Sequence, residues 1–161
     1  EVLVGGLGMG YTLATALQCV TASSKVTVAE LIPEVVEWNK GPLGECAGKP
    51  LGDHRSYVQL GDIADLIKQQ QPNFDAILLD VDNGPEGITN RDNDWLYSSA
   101  GLSGLYNSLR PQGMLAVWSA GPDFKFITQL KKAGFNVTDK TVRARAGGKG
   151  SRHTIFLAKK P

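Results

Sequence analysis

Apolar runs that suit buried strands alternate with segments of helical periodicity along the chain. Strands are predicted at residues 2–4, 26–29, 57–60, 74–79 and 114–118. After the first of these the period changes, and one helical stripe holds Leu13, Ala16, Leu17 and Val20. This alternation predicts an open α/β sheet of parallel strands covered by helices, in a single domain over residues 1–161.

The last two apolar runs, at residues 135–142 and 154–158, have no helix between them. Two strands that lack a crossover helix are expected to be antiparallel. The segment that joins them is basic, with Arg143, Arg145, Lys149 and Arg152. Such a cluster can bind a phosphate or an acidic partner, although a solvated hairpin is the more common role. Residues 40–56 and 81–94 are rich in loop-forming residues and predict loops.

Composition narrows the class of protein. Lys and Arg total 17 against 16 Asp and Glu, a formal net charge of +1, which gives no support to a nucleic-acid partner. No apolar run approaches the roughly 20 residues that cross a bilayer, so we expect no membrane partner. Residues 1–6 look like a strand rather than a signal peptide. Because the chain begins in a strand without Met, we expect an upstream segment to be missing.

The cysteines point to no special chemistry. Cys19 and Cys46 are the two thiols, and neither has a His or Cys at metal-ligand spacing, so no metal site is expected. Cys19 lies in an apolar helical stretch, which predicts a small core residue. A reducing cytoplasm is the expected compartment.

Polar features follow each of the first four predicted strands, at the edge where open parallel sheets bind ligands. They are the turn with Gly5, Gly6 and Gly8, and then Glu30, Asp62 and Asp80. Glycines allow a backbone to approach a ligand closely. The helix that starts near Tyr11 directs its free N–H groups to the same place. We interpret the turn as a binding site; the alternative is an ordinary tight turn of an α/β protein.

Glu30, Asp62 and Ile63 are the candidate residues that bind a nucleoside. Glu30 stands about twenty residues after the glycines, the spacing at which a carboxylate accepts from both hydroxyls of a ribose; the alternative is a solvated strand-end carboxylate. Asp62 suits the N-cap of a helix with Asp65 at the capping-box position. It can also accept a hydrogen bond from the exocyclic amine of an adenine.

The loop that begins at Asp80 is the candidate catalytic segment. A carboxylate at Asp80 can hold an amine by charge-assisted hydrogen bonds and deprotonate it. Asp82 and Asn83 follow at once and are the candidate substrate-binding residues. The alternative is an Asp/Asn/Gly turn selected for its backbone preferences.

These residues resemble the spermidine synthase (polyamine aminopropyltransferase) family over nearly the whole chain. The similar stretches are residues 2–6, 26–37, 53–55, 61–62, 74–80 and 109–113. The resemblance implies the class I methyltransferase fold, a Rossmann-like doubly wound, mostly parallel sheet of about seven strands with a C-terminal antiparallel hairpin. It also implies a pocket for decarboxylated S-adenosylmethionine or S-adenosylmethionine, with a small-molecule amine as acceptor and a homodimer as the assembly.

Three positions depart from the family pattern. Gly8 stands where the family has an Asp in the glycine turn, and Ile32 stands where an Asp follows the ribose-binding acid. Asn83 replaces the second acid of an Asp-x-x-Asp pair. Three hypotheses therefore compete: an aminopropyltransferase of polyamine biosynthesis, a methyltransferase of unknown substrate, and a nucleoside-binding module without catalysis.

Overall fold

The structure is a computed structural model that describes residues 1–69, 71, 73–80, 94–145 and 149–161. Its strands are β1 (Val2–Gly5), β2 (Val26–Glu30), β3 (Ser56–Leu60), β4 (Phe74–Leu79), β5 (Leu109–Ser119), β6 (Asn136–Arg145) and β7 (Lys149–Lys159). Its helices are α1 (Tyr11–Cys19), α2 (Pro33–Lys40), α3 (Pro42–Cys46), α4 (Ile63–Lys68), α5 (Asp94–Tyr97), α6 (Ser99–Ser108) and α7 (Phe124–Lys132), with a 3-10 turn at Pro50–Gly52.

The seven strands form one sheet in the order β3-β2-β1-β4-β5-β7-β6. The first five strands run parallel, and β7 lies antiparallel between β5 and β6. This arrangement confirms the predicted doubly wound sheet with a C-terminal hairpin. Because β2 and β3 lie on one side of β1 while β4 and β5 lie on the other, the strand order reverses between β1 and β4.

Helices bury both faces of the sheet because alternate strand residues point to opposite sides. On one face Val4 and Val28 pack with Leu13 and Leu17 of α1 and Val36 of α2. The opposite face packs against α4, α6 and α7 in a larger core of Leu3, Ile77, Leu79, Leu105, Leu115, Phe126 and Phe156. Packing against these two cores sets the orientation of each strand and therefore the position of its last residue.

Two segments differ from the sequence prediction. The apolar spacing of residues 95–109 alone predicts one helix, but the structure has two, α5 and α6, because Ser98 caps α6 by accepting from the amide of Gly101. Leu109 already belongs to β5, which bulges near Gln112, where φ is 65°. The predicted loop at residues 40–56 contains α3 and the 3-10 turn.

Cys19 is exposed, so its prediction as a core residue is wrong. It is the last residue of α1 and lies off the buried stripe of Leu13, Ala16 and Leu17. The longest helix that the structure describes, α6, has ten residues. None of the described helices has the length and apolar character needed to span a membrane.

Arg55, immediately before β3, forms an ion pair with Asp53 and a hydrogen bond to the end of α1. Arg55 donates from its guanidinium to Asp53 at 2.7 Å and from its backbone amide to the same carboxylate at 2.9 Å. The guanidinium also donates to the carbonyl of Val20 at 3.1 Å. The side-chain hydrogen bond from Arg55 is the main cause that holds the pKa of Asp53 well below its usual value.

The low pKa of Asp53 makes this contribution to stability sensitive to acid. The contribution is complete above the unfolded-state pKa of about 4 and is lost as the pH falls towards the folded-state pKa. We expect the difference in unfolding free energy between wild type and Asp53→Asn to be constant from about pH 8 to about pH 5 and to shrink below about pH 4. Urea denaturation at stepped pH measures it, and a difference that grows on acidification would contradict the assignment.

Candidate functional site

The predicted site residues meet at the carboxyl edge of the sheet, where the strand order reverses. Gly5 of β1 pairs with Ala29 of β2 on one side and with Leu79 of β4 on the other. Glu30 and Asp80 therefore flank the glycine turn at the same level, two strand spacings or roughly 10 Å apart. Open α/β sheets bind ligands in the crevice at this position.

The glycine turn adopts a backbone that other residues rarely accept. Gly6, Gly8 and Gly10 have φ angles of 83°, 48° and 81°, in the left-handed region. The amide of Gly6 donates to the carbonyl of Ala29 at 2.9 Å, and that of Gly10 donates to the carbonyl of Leu7 at 2.7 Å. Gly10 is the N-cap of α1 and supplies no side-chain cap, so the first amides of α1 are free to meet a ligand.

The Glu30 side chain turns towards the glycine turn. It is 7% exposed, and its Oε2 accepts from the amide of Leu7 at 2.8 Å, between Gly6 and Gly8. Its Oε1 accepts from the amide of Ile32 at 2.9 Å. A carboxylate has about four acceptor positions. Two are used by the chain, so two remain for hydroxyl donors, in an orientation that these amides fix.

Asp62 lies at the same edge, two residues beyond the point where β3 pairs with Glu30. It caps α4, since its Oδ1 accepts from the amide of Ala64 at 2.8 Å. Asp65 forms an ion pair with Lys68 rather than completing a capping box. Ile63 is 5% exposed and belongs to the core under α4. Contacts of Asp62 and Ile63 with a nucleoside stay predictions.

Asp80 is exposed at the end of β4, and Thr12 of α1 orients it. The Thr12 hydroxyl donates to Oδ2 of Asp80 at 2.7 Å, and within the described part of the chain no donor bonds to Oδ1. The backbone amide of Asp80 donates to the carbonyl of Gly5 at 3.2 Å. Asp82 and Asn83, the predicted substrate-binding residues, lie outside the described residues.

Sequence reasoning missed the apolar side chains around the glycine turn. Leu31 is 60% exposed, Ile32 50% and Met9 46%, although all three are large and apolar. Exposed apolar side chains beside a polar edge suit the faces of a heterocyclic base. Leu31 and Ile32 had a sequence signal, because they directly follow Glu30 at the point where β2 ends. Within the described ranges no group of three metal-ligating side chains is placed to hold an ion.

Comparison with known sequences shows which proteins this chain is similar to. A polyamine aminopropyltransferase of Sulfolobus acidocaldarius is 28% identical over 128 residues, which are 80% of this chain and 41% of that protein. One from Prochlorococcus marinus is 30% identical over 126 residues, 76% of this chain and 42% of that protein. The chain is a relative of the polyamine aminopropyltransferases. It spans about two fifths of their length, and no protein-family model matches it.

Solved structures share the fold of this aminopropyltransferase relative. A spermidine synthase in complex with the transition state analogue AdoDATO matches 99% of this chain and 52% of its own, with a TM-score of 0.74 at 18% identity. Human methyltransferase-like protein 13 in complex with SAH matches 99% of this chain and 72% of its own, with a TM-score of 0.68 at 21% identity. The sheet is therefore the Rossmann-like fold that spermidine synthases share with methyltransferases.

Proposed function

We propose that the chain is the nucleoside-binding domain of an aminopropyltransferase that uses decarboxylated S-adenosylmethionine and an amine acceptor. The observation that carries the proposal is the Glu30 carboxylate, which is held against the glycine turn and keeps two acceptor positions open. The names of the sequence relatives support the aminopropyl reaction. The spermidine synthase that shares this fold was solved with the transition state analogue AdoDATO, which supports a ligand of this type.

The nucleoside would lie along the edge from Asp62 to Asp80. Glu30 accepts from the two ribose hydroxyls, and Asp62 accepts from the exocyclic amine of the adenine. Leu31, exposed beside Glu30, offers an apolar surface to the base. The glycine turn lets the sulfur end approach the backbone and the first turn of α1.

Asp80 is the proposed base of the reaction. The bound sulfonium nucleoside supplies the electrophilic carbon: attack by the acceptor nitrogen forms the C–N bond and breaks the C–S bond, whose electrons leave a neutral thioether. Asp80 holds the amine and accepts the proton that the nitrogen loses. Thr12 fixes one carboxylate oxygen, so that the other faces the acceptor.

The charge distribution favours a second candidate function, in which a methyl group is transferred to an anionic acceptor. Residues 136–161 carry seven of the basic residues and one acid, a net charge of +6, whereas the rest of the chain is at −5. The β6–β7 hairpin continues past Ser119, the last residue of β5 that pairs with β7, so its tip, meaning the described end with Arg143 and Arg152, extends past the site edge. Arg143 and Arg152 face each other there, and neither is within ion-pair distance of a carboxylate of the described residues. A dicationic polyamine would be repelled by this tip.

The thioether product separates the two reactions. Incubation with decarboxylated S-adenosylmethionine and a panel of polyamines should yield 5′-methylthioadenosine, detected by mass spectrometry. Incubation with S-adenosylmethionine and anionic amines or hydroxyl compounds should yield S-adenosylhomocysteine if methyl transfer is the activity. Release of neither thioether with any acceptor, despite nucleoside binding, would contradict both and favour the non-catalytic module.

Gly8 gives a test of where the charged end of the nucleoside lies. A Cβ added at Gly8 would meet no atom within 4 Å, and Asp tolerates the left-handed backbone better than most residues. We expect Gly8→Asp to bind decarboxylated S-adenosylmethionine about 2- to 5-fold more tightly, since a carboxylate there would pair with the ligand's ammonium group. Calorimetry measures it, with Gly8→Asn as the uncharged control. Equal affinities of Gly8→Asp and Gly8→Asn would place the ammonium elsewhere.

A further inference from the structure

Asn39 of α2 is a polar side chain buried behind the glycine turn. It is 2% exposed. Its Nδ2 donates to the carbonyl of Val35, one helical turn back, at 2.9 Å, and to the carbonyl of Gly8 at 2.8 Å. Both amide hydrogens are therefore used, and the second bond joins α2 to the glycine turn across 31 positions of sequence.

The same amide leaves one oxygen unsatisfied. Oδ1 of Asn39 is buried, and none of the described residues donates a hydrogen bond to it. A buried carbonyl oxygen without a donor destabilises a fold, and an apolar side chain of similar size would avoid that penalty. What the amide provides is its hydrogen bond to the Gly8 carbonyl, which we call the tether.

The surrounding atoms leave the turn little freedom on this side. A Cβ at Gly10 would lie 3.0 Å from Oδ1 of Asn39 and 3.1 Å from Pro50. A Cβ at Gly44 would overlap the backbone carbonyl of Asn39. Helices α2 and α3 and the 3-10 turn therefore form a packed support behind the glycine turn, with Asn39 as its hydrogen-bonded contact.

We propose that Asn39 is a positioning residue for the nucleoside site. By holding the Gly8 carbonyl on the side of α2, it fixes the left-handed turn so that the Leu7 amide reaches Glu30 and the first amides of α1 stay exposed to a ligand. The proposal deepens the proposed function and rests on it, because a positioned turn affects affinity only if a nucleoside binds there.

The test compares Asn39→Leu with Val36→Ala. Val36 lies on the same helix and is buried at 4% exposure in the core with α1, but it has no hydrogen bond to the turn. Amide hydrogen exchange is measured by NMR at Leu7 and Gly10, and affinity for 5′-methylthioadenosine and S-adenosylhomocysteine is measured by calorimetry. Asn39→Ser, whose side chain is too short for both bonds, is the second variant in case Leu prevents folding.

Asn39→Leu should keep a melting temperature at or above that of Val36→Ala. It should nevertheless exchange at least tenfold faster at Leu7 and Gly10 and bind the nucleosides at least tenfold more weakly. Val36→Ala should accelerate amide hydrogen exchange to a similar degree throughout the core. Its affinity for the nucleosides should stay within threefold of the wild-type value. Wild-type exchange rates at Leu7 and Gly10 in Asn39→Leu would overturn the proposal. The exchange measurement needs no nucleoside, so it decides on the tether separately from a failure of the wild type to bind, which would overturn the proposed function.

Discussion

Replacement of Asp80 by Asn should lower turnover by about 10²- to 10⁴-fold, the usual contribution of a general base. The amide retains the size of the carboxylate and can still accept from the Thr12 hydroxyl. It cannot take the proton that the attacking nitrogen must lose. Affinity for the nucleoside should stay within threefold, since the ribose and base are held from Glu30 and the glycine turn. Initial rates of thioether release at saturating donor measure the first effect, and calorimetry measures the second.

Asp123→Asn is the matched control for Asp80→Asn. Asp123 follows β5 at the same edge and caps α7 by accepting from the amide of Phe126 at 2.9 Å. Asn caps helices about as well as Asp. The control therefore removes a carboxylate from this edge without loss of stability, and its turnover should stay within twofold. Turnover of Asp80→Asn equal to that of the control would remove Asp80 from the mechanism.

The second large effect is expected at Glu30. Glu30→Gln should weaken nucleoside binding about 10- to 100-fold, because hydrogen bonds to a charged group are worth about 1.5–3 kcal/mol. Part of this loss has a structural origin. A glutamine presents its NH₂ to either the Leu7 or the Ile32 amide, so one of the two bonds that orient the side chain is lost. A thermal melt of the free variant measures that structural part.

Glu34→Gln controls for charge near the site. Glu34 lies in the first turn of α2 and is exposed. The substitution removes one negative charge four residues from Glu30 without touching the glycine turn, and affinity should remain within twofold. Similar weakening by both substitutions would mean that long-range charge, rather than contact with the ligand, sets the affinity.

Local features of the sequence were sufficient to predict the edge where the site lies. The short apolar strands at residues 2–4 and 26–29 contain fully buried Val4 and Val28, and the glycines and Glu30 follow these strands directly. Parallel strands then deliver Glu30 and Asp80 to one edge without any knowledge of side-chain packing. The antiparallel final hairpin was predictable for a similar reason, because no crossover helix separates its strands.

The supports of the site depend on long-range contacts that periodicity does not encode. Thr12 meets Asp80 across 68 positions, and Asn39 meets Gly8 across 31. Both side chains lie in ordinary helical segments, and only the packing of α1 and α2 on the sheet brings them to their partners. The prediction that Cys19 lies in the core is wrong for a local reason. Its apolar neighbours suggested the core, but Leu17 is the last buried residue of the helix, two positions before Cys19.

The most direct test of the central claim is a thermodynamic cycle that combines Glu30→Gln with loss of a ribose hydroxyl. Calorimetry would compare 5′-methylthioadenosine with its 2′-deoxy and 3′-deoxy analogues on wild type and variant. If Glu30 holds the ribose, loss of a hydroxyl should weaken binding to wild type about tenfold or more and should barely affect the variant. Equal losses on both proteins would show that Glu30 does not contact the ribose, and the proposed nucleoside site would be wrong.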